Sequence, residues 1–221
     1  MTQTQIQDHL VDNLGLWREV LRPPPEGPQR PALFLDRDGV VVEDTGYLHE
    51  PSKVALISGA GAVITACNGA GTPVLAVTNQ SGIGRGLYGW EAFVAVQTRL
   101  SSFLKGEGGM LDGVLACAFH AEGTGPFAIA DHGWRKPRPG MLLAAAEVWP
   151  IDLARSWIVG DRASDLAAGK AAGLAGGLHV LTGHGAGDRS AAMEVADDSF
   201  EVLTADSVAD HGTLLTRLGI A

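Results

Sequence analysis

The stretch ALFLDRDGVVV, residues 32–42, decides the fold of this chain and points to its chemistry. Its first part, residues 32–35, predicts a buried β-strand, which ends at Asp36 and is followed by Asp38 and Gly39. Because side chains alternate along a strand, two carboxylates two residues apart lie on one side of it. Holding them there is costly unless a cation lies between them. The pattern predicts a Mg²⁺ site in which one carboxylate attacks phosphorus and the other transfers a proton; the plainer alternative is a turn after a strand.

The composition favours one globular domain that acts on small molecules. With 221 residues, 46% of them hydrophobic, the chain can fill one core. Its formal net charge of −9, without a lysine or arginine cluster, argues against nucleic acid and anionic membranes as partners. The two cysteines, Cys67 and Cys117, and the lack of a secretion signal at residues 1–17 favour a reducing compartment. No apolar run reaches the length of a membrane span, so we expect a cytoplasmic protein, with its oligomeric state left open.

Strand-like and helix-like segments alternate from residue 32 onwards. This alternation predicts an α/β fold, with a doubly wound, Rossmann-like parallel sheet and helices on both faces. In such a sheet, ligands bind beyond the carboxyl ends of the strands. The strand candidates are 32–36, 73–78, 113–119, 156–160 and 177–182, and the helix candidates are 59–70, 89–105, 139–148, 164–174 and 205–218.

The N-terminal segment 1–30 is predicted to be a helical extension that packs either on the main domain, 31–221, or on a second subunit. The proline-rich stretch PPPEGP at 23–28 cannot continue a helix and acts as a stiff linker. The polar stretch 183–192 is predicted to be a mobile loop. The helix in the extension is predicted from apolar residues at helical spacing within 5–21, namely Ile6, Leu10, Leu14 and Val20 or Leu21.

Three further strand or helix ends carry polar residues suited to phosphate chemistry. Thr78 ends a strand and leads into the glycine-rich stretch NQSGIGRG, which could hold phosphate oxygens or could be only a turn. Lys136 precedes a helix and could neutralise a phosphoryl group, although a single lysine is more often a surface residue. Asp161 ends another strand and could complete a Mg²⁺ site with Asp36, while Asp165 could orient Lys136 or cap a helix.

In this order, DRDGV at 36–40, Thr78, Lys136 and GDRASD at 160–165 resemble the four motifs of the haloacid dehalogenase-like (HAD-like) superfamily of aspartate-nucleophile phosphatases. The resemblance implies a hydrolase of phosphoric monoesters with Asp36 as nucleophile and Asp38 as general acid and base. It also implies that Thr78 and Lys136 bind the phosphoryl group, and that Mg²⁺ is held by Asp36, the main-chain carbonyl of Asp38, and Asp161. The short intervals between motifs imply the capless subgroup.

Three longer stretches resemble one family within it, the D-glycero-D-manno-heptose-1,7-bisphosphate 7-phosphatases: 36–51, 77–86 and 135–142. The resemblance implies a small phosphorylated sugar as the substrate, with Arg135 binding the phosphate that is not removed. The alternatives are a phosphatase of another small phosphorylated metabolite, such as histidinol phosphate, and a non-catalytic phosphosugar-binding domain. The substrate contacts implied are Asp44, Tyr47, Asn79, Gln80, Ser81, Arg135 and Arg162.

One departure concerns the structural zinc site of that family, Cys-x-His followed by Cys-x-Cys. The matching positions are Cys117, Phe119, His132 and Trp134, of which two are not metal ligands. We therefore expect apolar packing in place of zinc. A rebuilt site from Cys117, His120 and His132 is left open.

Overall fold

A computed structural model describes residues 3–220, and these form a seven-stranded sheet. The strand order is β1-β4-β3-β2-β5-β6-β7, with β1 antiparallel to β4 and all other neighbours parallel. The predicted doubly wound α/β fold is therefore confirmed. The strands are β1 (Leu16–Val20), β2 (Leu33–Leu35), β3 (Val74–Asn79), β4 (Gly113–Cys117), β5 (Trp157–Gly160), β6 (Gly176–His179) and β7 (Glu201–Thr204).

Helices cover both faces of this sheet and divide the apolar core into two layers. Side chains of α1, α2, α4 and α8 pack on one face, and side chains of α5, α6 and α7 pack on the other. The central strands are buried on both faces, which explains their continuous apolar sequence. The helices are α1 (Gln3–Gln7), α2 (Ala60–Gly69), α3 (Ser81–Gly84), α4 (Trp90–Gly106), α5 (Gly140–Ala146), α6 (Ala163–Ala171), α7 (Gly185–Met193) and α8 (Gly212–Arg217).

The strand register brings the motif-bearing ends together. In the sheet, Leu35 at the end of β2 lies between Ala76 of β3 and Val159 of β5. Because all three strands are parallel, their carboxyl ends open at one edge of the sheet, where a doubly wound fold binds its ligand. None of the helices within 3–220 combines the length and the apolar character needed to cross a bilayer.

The predicted helix over residues 5–21 is wrong for most of its length. Only α1 is helical; the Asp12 Oδ1 atom accepts the N–H groups of residues 14–16, and Asn13 has a φ of 59°, so the chain turns. Strand β1 then pairs with β4 in the same sheet as the motif-bearing strands. Of the apolar residues whose spacing resembled a helix, Ile6 lies in α1 and Leu10 and Leu14 lie between α1 and β1. Strand β1 forms because its pairing satisfies the exposed backbone of β4.

Replacing Trp17 on β1 with alanine is expected to reduce the free energy of unfolding by about 3–5 kcal/mol. Trp17 is completely buried, stacks on Trp90 with ring centroids 5.3 Å apart and meets Phe93 edge-on. Urea unfolding of Trp17→Ala measures the loss. The control is Val20→Ala, a change at an exposed position of the same strand that should cost about 0.5 kcal/mol or less. Equal losses for the two variants would contradict the docking of β1.

The C-terminal third departs from the sequence prediction at two places. Residues predicted to form a mobile loop at 183–192 instead form α7, because Ala192 is buried and Asp188 accepts the N–H of Ala163 at 2.8 Å. The predicted helix over 205–218 is limited to α8, and the unpredicted strand β7 precedes it. Tertiary packing thus overrides the weak local preference of a glycine-rich segment.

Candidate active site

A cavity of about 610 Å³ opens at the carboxyl ends of β2, β3 and β5. Every site residue predicted from the sequence lines it, although the roles assigned to them stay predictions. They are Asp36, Asp38, Asp44, Tyr47, Thr78, Asn79, Gln80, Ser81, Arg135, Lys136, Asp161, Arg162 and Asp165.

The centre of the cavity is an ion-pair network around Lys136, which is 3% exposed. Its Nζ atom lies 2.9 Å from Asp36 Oδ1 and 2.7 Å from Asp165 Oδ1, and it donates to the Val77 carbonyl at 2.8 Å. All three donors of the ammonium group are therefore used. Burial alone would lower the pKa of Lys136, but Asp165 and Asp36 outweigh it and raise that pKa, so the group stays charged.

The network carries more negative than positive charge. Potential ligand atoms of Asp36, Asp161 and Asp165 lie within 4.8 Å of one another, with Lys136 as their ion-pair partner. Burial raises the pKa of Asp36 to about 8, against the opposing effect of Lys136 and with repulsion from neighbouring carboxylates. Burial also raises the pKa of Asp161 to about 6. A proton or a divalent cation would relieve this repulsion.

Two oxygen atoms of this cluster are left without a hydrogen-bond partner. Asp161 Oδ1 is buried and has none, while its Oδ2 accepts the His184 N–H at 2.7 Å. In Asp36, Oδ1 binds Lys136 and the Arg37 N–H, and no donor within 3–220 reaches Oδ2. Asp165 differs, because one oxygen is paired with Lys136 and the other accepts the Arg162 N–H at 3.0 Å. Asp165 thus both orients Lys136 and caps α6, the two alternatives that its position suggested.

The Asp38 carboxylate is held by other residues. Arg37 donates to it from Nε at 3.1 Å and from Nη2 at 2.9 and 3.1 Å, and Gln80 Nε2 donates at 3.1 Å. These bonds orient the side chain, whereas no described donor binds its main-chain carbonyl. The carbonyl is the Asp38 atom suited to a cation.

The end of β3 is tied into the same network. Gln80 donates to Thr78 Oγ1 at 2.8 Å, which leaves the Thr78 hydroxyl hydrogen for an oxygen in the cavity. Asn79 exchanges two hydrogen bonds of 3.1 Å with the main chain of Lys136, which fixes the lysine backbone. Ser81 begins α3 at the cavity wall. The side-chain amides of Asn79 and Gln80, both predicted to contact the substrate, thus form hydrogen bonds with other residues of the protein.

The mouth of the cavity carries two further polar pairs. Asp44 Oδ2 lies 2.9 Å from Nε2 of His184. The Tyr47 hydroxyl accepts a hydrogen bond of 2.6 Å from Arg85. These pairs join the loop after β2 to the segments that follow β6 and β3.

Positive charge is concentrated on one wall, where Arg135 and Arg162 make no ion pair with any described carboxylate. Burial, and then the neighbouring Arg162, lower the pKa of Arg135. Arg135 donates to the Phe119 carbonyl at 3.1 Å, which orients its guanidinium. On the same wall, His120 accepts the Glu122 N–H at its Nδ1 atom. An anion binding there would find two arginines that no described carboxylate pairs with.

Comparison with known proteins places this chain in a family. The HAD-hydrolase-like family model matches residues 133–210. The D-glycero-beta-D-manno-heptose-1,7-bisphosphate 7-phosphatase of Mesorhizobium japonicum is 46% identical over 194 residues, which is 88% of this chain and 89% of that protein. The chain belongs to the heptose-1,7-bisphosphate 7-phosphatase family.

Crystal structures of related proteins agree with this family assignment. A protein from Mesorhizobium loti described as a HAD-like phosphatase superposes with a TM-score of 0.84 and 42% identity, covering 95% of this chain and 96% of its own. The D,D-heptose 1,7-bisphosphate phosphatase from B. bronchiseptica, complexed with magnesium and phosphate, gives a TM-score of 0.72 at 29% identity, covering 85% and 98%.

The four positions at which the resemblance implied zinc ligands are packed together in this chain. Phe119 is 3% exposed and stacks on His132, with ring centroids 4.3 Å apart. His132 Nδ1 accepts the N–H of Trp134, and Cys117 is buried in the apolar core. Burial raises the pKa of the Cys117 thiol to about 11. Zinc measured on the purified protein by mass spectrometry is expected to be well below one ion per chain; a stoichiometric amount would contradict this.

Several polar residues of the site carry no recognisable signal in the sequence. Tyr88 donates to Gln80 Oε1 at 2.7 Å, and Gln97 reaches Arg37 from α4. Arg37 lies inside the DRDG motif but has no role that spacing alone reveals. Two of its partners, Gln80 and Gln97, are distant along the chain, so only the folded structure brings them to Arg37.

Proposed function

We propose that this protein hydrolyses one phosphomonoester of a sugar bisphosphate, a D-glycero-D-manno-heptose 1,7-bisphosphate, and works in the cytoplasm as a single catalytic domain without nucleic acid or membrane partners. The observation that carries the proposal is Asp36, held by Lys136 at the end of β2 with one oxygen uncommitted. The names of the relatives support the heptose substrate.

In the first step, a carboxylate oxygen of Asp36 attacks phosphorus and the bond from phosphorus to the sugar oxygen breaks. Asp38 donates its proton to that oxygen, which leaves as a hydroxyl group. The Thr78 hydroxyl donates to an oxygen of the transferring group, and the positive charge of Lys136 faces that group. The product is an aspartyl-phosphate on Asp36.

In the second step, Asp38 takes a proton from a water molecule whose oxygen attacks phosphorus. The bond between phosphorus and the Asp36 oxygen breaks, which regenerates the carboxylate and releases inorganic phosphate. Asp38 thus ends in the protonated form with which it began. Lys136 again faces the negative charge of the phosphoryl group.

The residues present fit a magnesium ion. Asp36, the carbonyl of Asp38 and Asp161 would hold it, because they offer the uncommitted oxygens of a cluster with excess negative charge. When bound, Mg²⁺ supplies positive charge that offsets repulsion between the carboxylates and a phosphate dianion.

Replacing Arg135 with alanine is expected to raise KM for the sugar bisphosphate about 10–100-fold, since a hydrogen bond to a charged group is worth ~1.5–3 kcal/mol. Turnover of an aryl phosphate, which has no second phosphate, should change little. Steady-state kinetics on both substrates measures the difference. Arg138→Ala is the matched control, since Arg138 is exposed and pairs with Asp131 instead of lining the cavity. An equal effect on both substrates would exclude a second-phosphate role for Arg135.

The deciding experiment is release of inorganic phosphate with and without Mg²⁺. The panel holds both anomers of the heptose bisphosphate, other sugar bisphosphates, histidinol phosphate and an aryl phosphate. We expect Mg²⁺-dependent turnover with a preference for a heptose anomer. Activity confined to other compounds would support the proposed phosphatase mechanism but reject the heptose substrate. If no compound is turned over, the proposed phosphatase activity is rejected.

A second candidate is a phosphatase of another small phosphorylated metabolite. The contact that favours it is the one between Arg135 and Phe119, because Phe119 stands at a position where the family has a zinc ligand. If Phe119 changes the position of the Arg135 guanidinium, the cavity would fit a substrate with a different distance between its two ends. The same panel distinguishes the two candidates.

A further inference from the structure

Arg37 is a charged residue almost completely removed from solvent, with 1% exposure. Its guanidinium lies over the ring of Phe93 at 5.4 Å and donates to Asp38, Gln80 and Gln97. Burial of such a group is tolerated only when its charge and its donors are matched. Arg37 is therefore held in one orientation by groups from three parts of the chain.

Asp38 receives its orientation from Arg37. Three of the four hydrogen bonds to its carboxylate come from Arg37, and the fourth comes from Gln80, itself bonded to Arg37. Paired donors on a planar guanidinium fix the direction of a carboxylate as well as its distance. Any movement of Arg37 would thus move the group that must exchange protons with the substrate and with water.

Gln97 anchors the far side of Arg37. It lies on α4, is 5% exposed and accepts a hydrogen bond of 3.2 Å from Arg37 Nη1, outside the cavity lining. Its Nε2 group is buried and has no hydrogen-bond partner within 3–220. An unpaired buried amide destabilises a protein, so core stability alone would favour an apolar side chain here. The benefit that offsets this cost is the contact with Arg37.

We propose that Gln97 is a positioning residue for the phosphatase reaction: through Arg37 it keeps the Asp38 carboxyl group oriented for proton exchange. The inference rests on the proposed function and extends it to a residue that does not touch the substrate. Loss of the Gln97 acceptor would free one end of the guanidinium and loosen Asp38. Proton donation to a sugar alkoxide would then slow, while substrate binding would be retained.

The test compares two leaving groups. A sugar oxygen must be protonated as it leaves, whereas p-nitrophenolate leaves readily without a proton, so only the first substrate depends on Asp38 in the initial step. Gln97→Met removes the acceptor at nearly constant volume, and Gln97→Glu retains it. For Gln97→Met we expect kcat on the best sugar phosphate to fall about tenfold, below the ~10²–10⁴-fold of losing a general acid altogether, with KM unchanged. The rapid-mixing burst of p-nitrophenol from p-nitrophenyl phosphate should keep the wild-type rate constant, and Gln97→Glu should recover kcat.

Leu100→Ala is the matched control, because Leu100 is completely buried on the same helix and makes no polar contact with Arg37. Leu100→Ala should lower the melting temperature, and any change in rate should be the same for the sugar phosphate and for p-nitrophenyl phosphate. The inference is overturned if Gln97→Met keeps the wild-type kcat on the sugar phosphate. It is also overturned if this kcat and the burst rate constant on p-nitrophenyl phosphate fall by the same factor. If Gln97→Met does not fold, Gln97→Asn, which keeps the amide but shortens its reach, is measured in the same way. An inactive wild-type enzyme would reject the proposed function itself. An active wild-type enzyme whose Gln97 variants affect the sugar phosphate and the aryl phosphate alike would reject only the role of Gln97.

Discussion

Asp36→Asn is expected to lower phosphate release at least ~10⁴-fold while leaving the protein as stable as the wild type, or more stable, in a metal chelator. The amide cannot form the aspartyl-phosphate, so the loss in activity follows from chemistry and not from unfolding. The expected stability follows from the buried cluster. Burial, together with repulsion from Asp165, Asp161 and Asp38, raises the pKa of Asp36 to about 8 despite the attraction of Lys136.

The sign of the pH dependence follows from that raised pKa. The native protein binds the Asp36 proton more tightly than the unfolded chain, so this group contributes less to stability as pH rises from about 4 to about 8. Asparagine does not titrate, so the variant lacks this decrease in stability with rising pH. The melting temperature of Asp36→Asn minus that of the wild type, both in chelator, should therefore increase over this pH range and level off above it.

Scanning calorimetry and phosphate assays on the same samples test both parts. Mg²⁺ should raise the melting temperature of the wild type more than that of Asp36→Asn, because the variant lacks one carboxylate ligand. Asp198→Asn, a change at an exposed position, is the control and should alter neither activity nor this pH trend. Retention of more than about 1% of the wild-type rate would reject Asp36 as the nucleophile.

Lys136→Met is expected to abolish activity and to reduce the free energy of unfolding by about 3–5 kcal/mol. Its ammonium group is the shared partner of Asp36 and Asp165, and its methylene chain is buried with it. Methionine keeps the volume and removes the charge, so these buried carboxylates lose their cation. The missing charge also leaves the transferring phosphoryl group without its ammonium partner.

The stability lost in this variant should depend on pH in a defined direction. Without Lys136, the attraction that opposes the raised pKa of Asp36 is gone, so this pKa rises further. An acid with a raised native pKa opposes folding more as pH increases. We therefore expect the largest loss at alkaline pH and a smaller one near pH 5, measured by urea unfolding in chelator.

The control for this variant is Lys53→Met, which removes a lysine paired with Glu50 on the surface. Exposed pairs contribute only ~0.2–1 kcal/mol, and this loss should vary little over the same pH range. A wild-type free energy of unfolding in Lys136→Met would show that the buried ion pairs are not formed in solution.

The active-site cluster could be predicted because each member lies at the end of a short, strongly patterned segment. Apolar runs that stop at Asp36, Thr78 and Asp161 are local signals, and parallel strands bring such ends to one edge of the sheet. The edge strands could not be predicted in this way. β1 and β7 have weak patterns of their own, and what makes them strands is the backbone hydrogen bonding offered by β4 and β6.

The amino-acid sequence by itself determined the fold class and the reacting groups of this protein, since strand periodicity, turn residues and carboxylate spacing are properties of neighbouring residues. Only the tertiary structure decided which side chains hold those groups in place. Gln97 meets Arg37 across 60 residues, and His184 meets Asp44 at the mouth of the cavity from the far end of the chain. Contacts of this kind depend on how helices pack on the sheet, and packing places residues together irrespective of their separation along the chain.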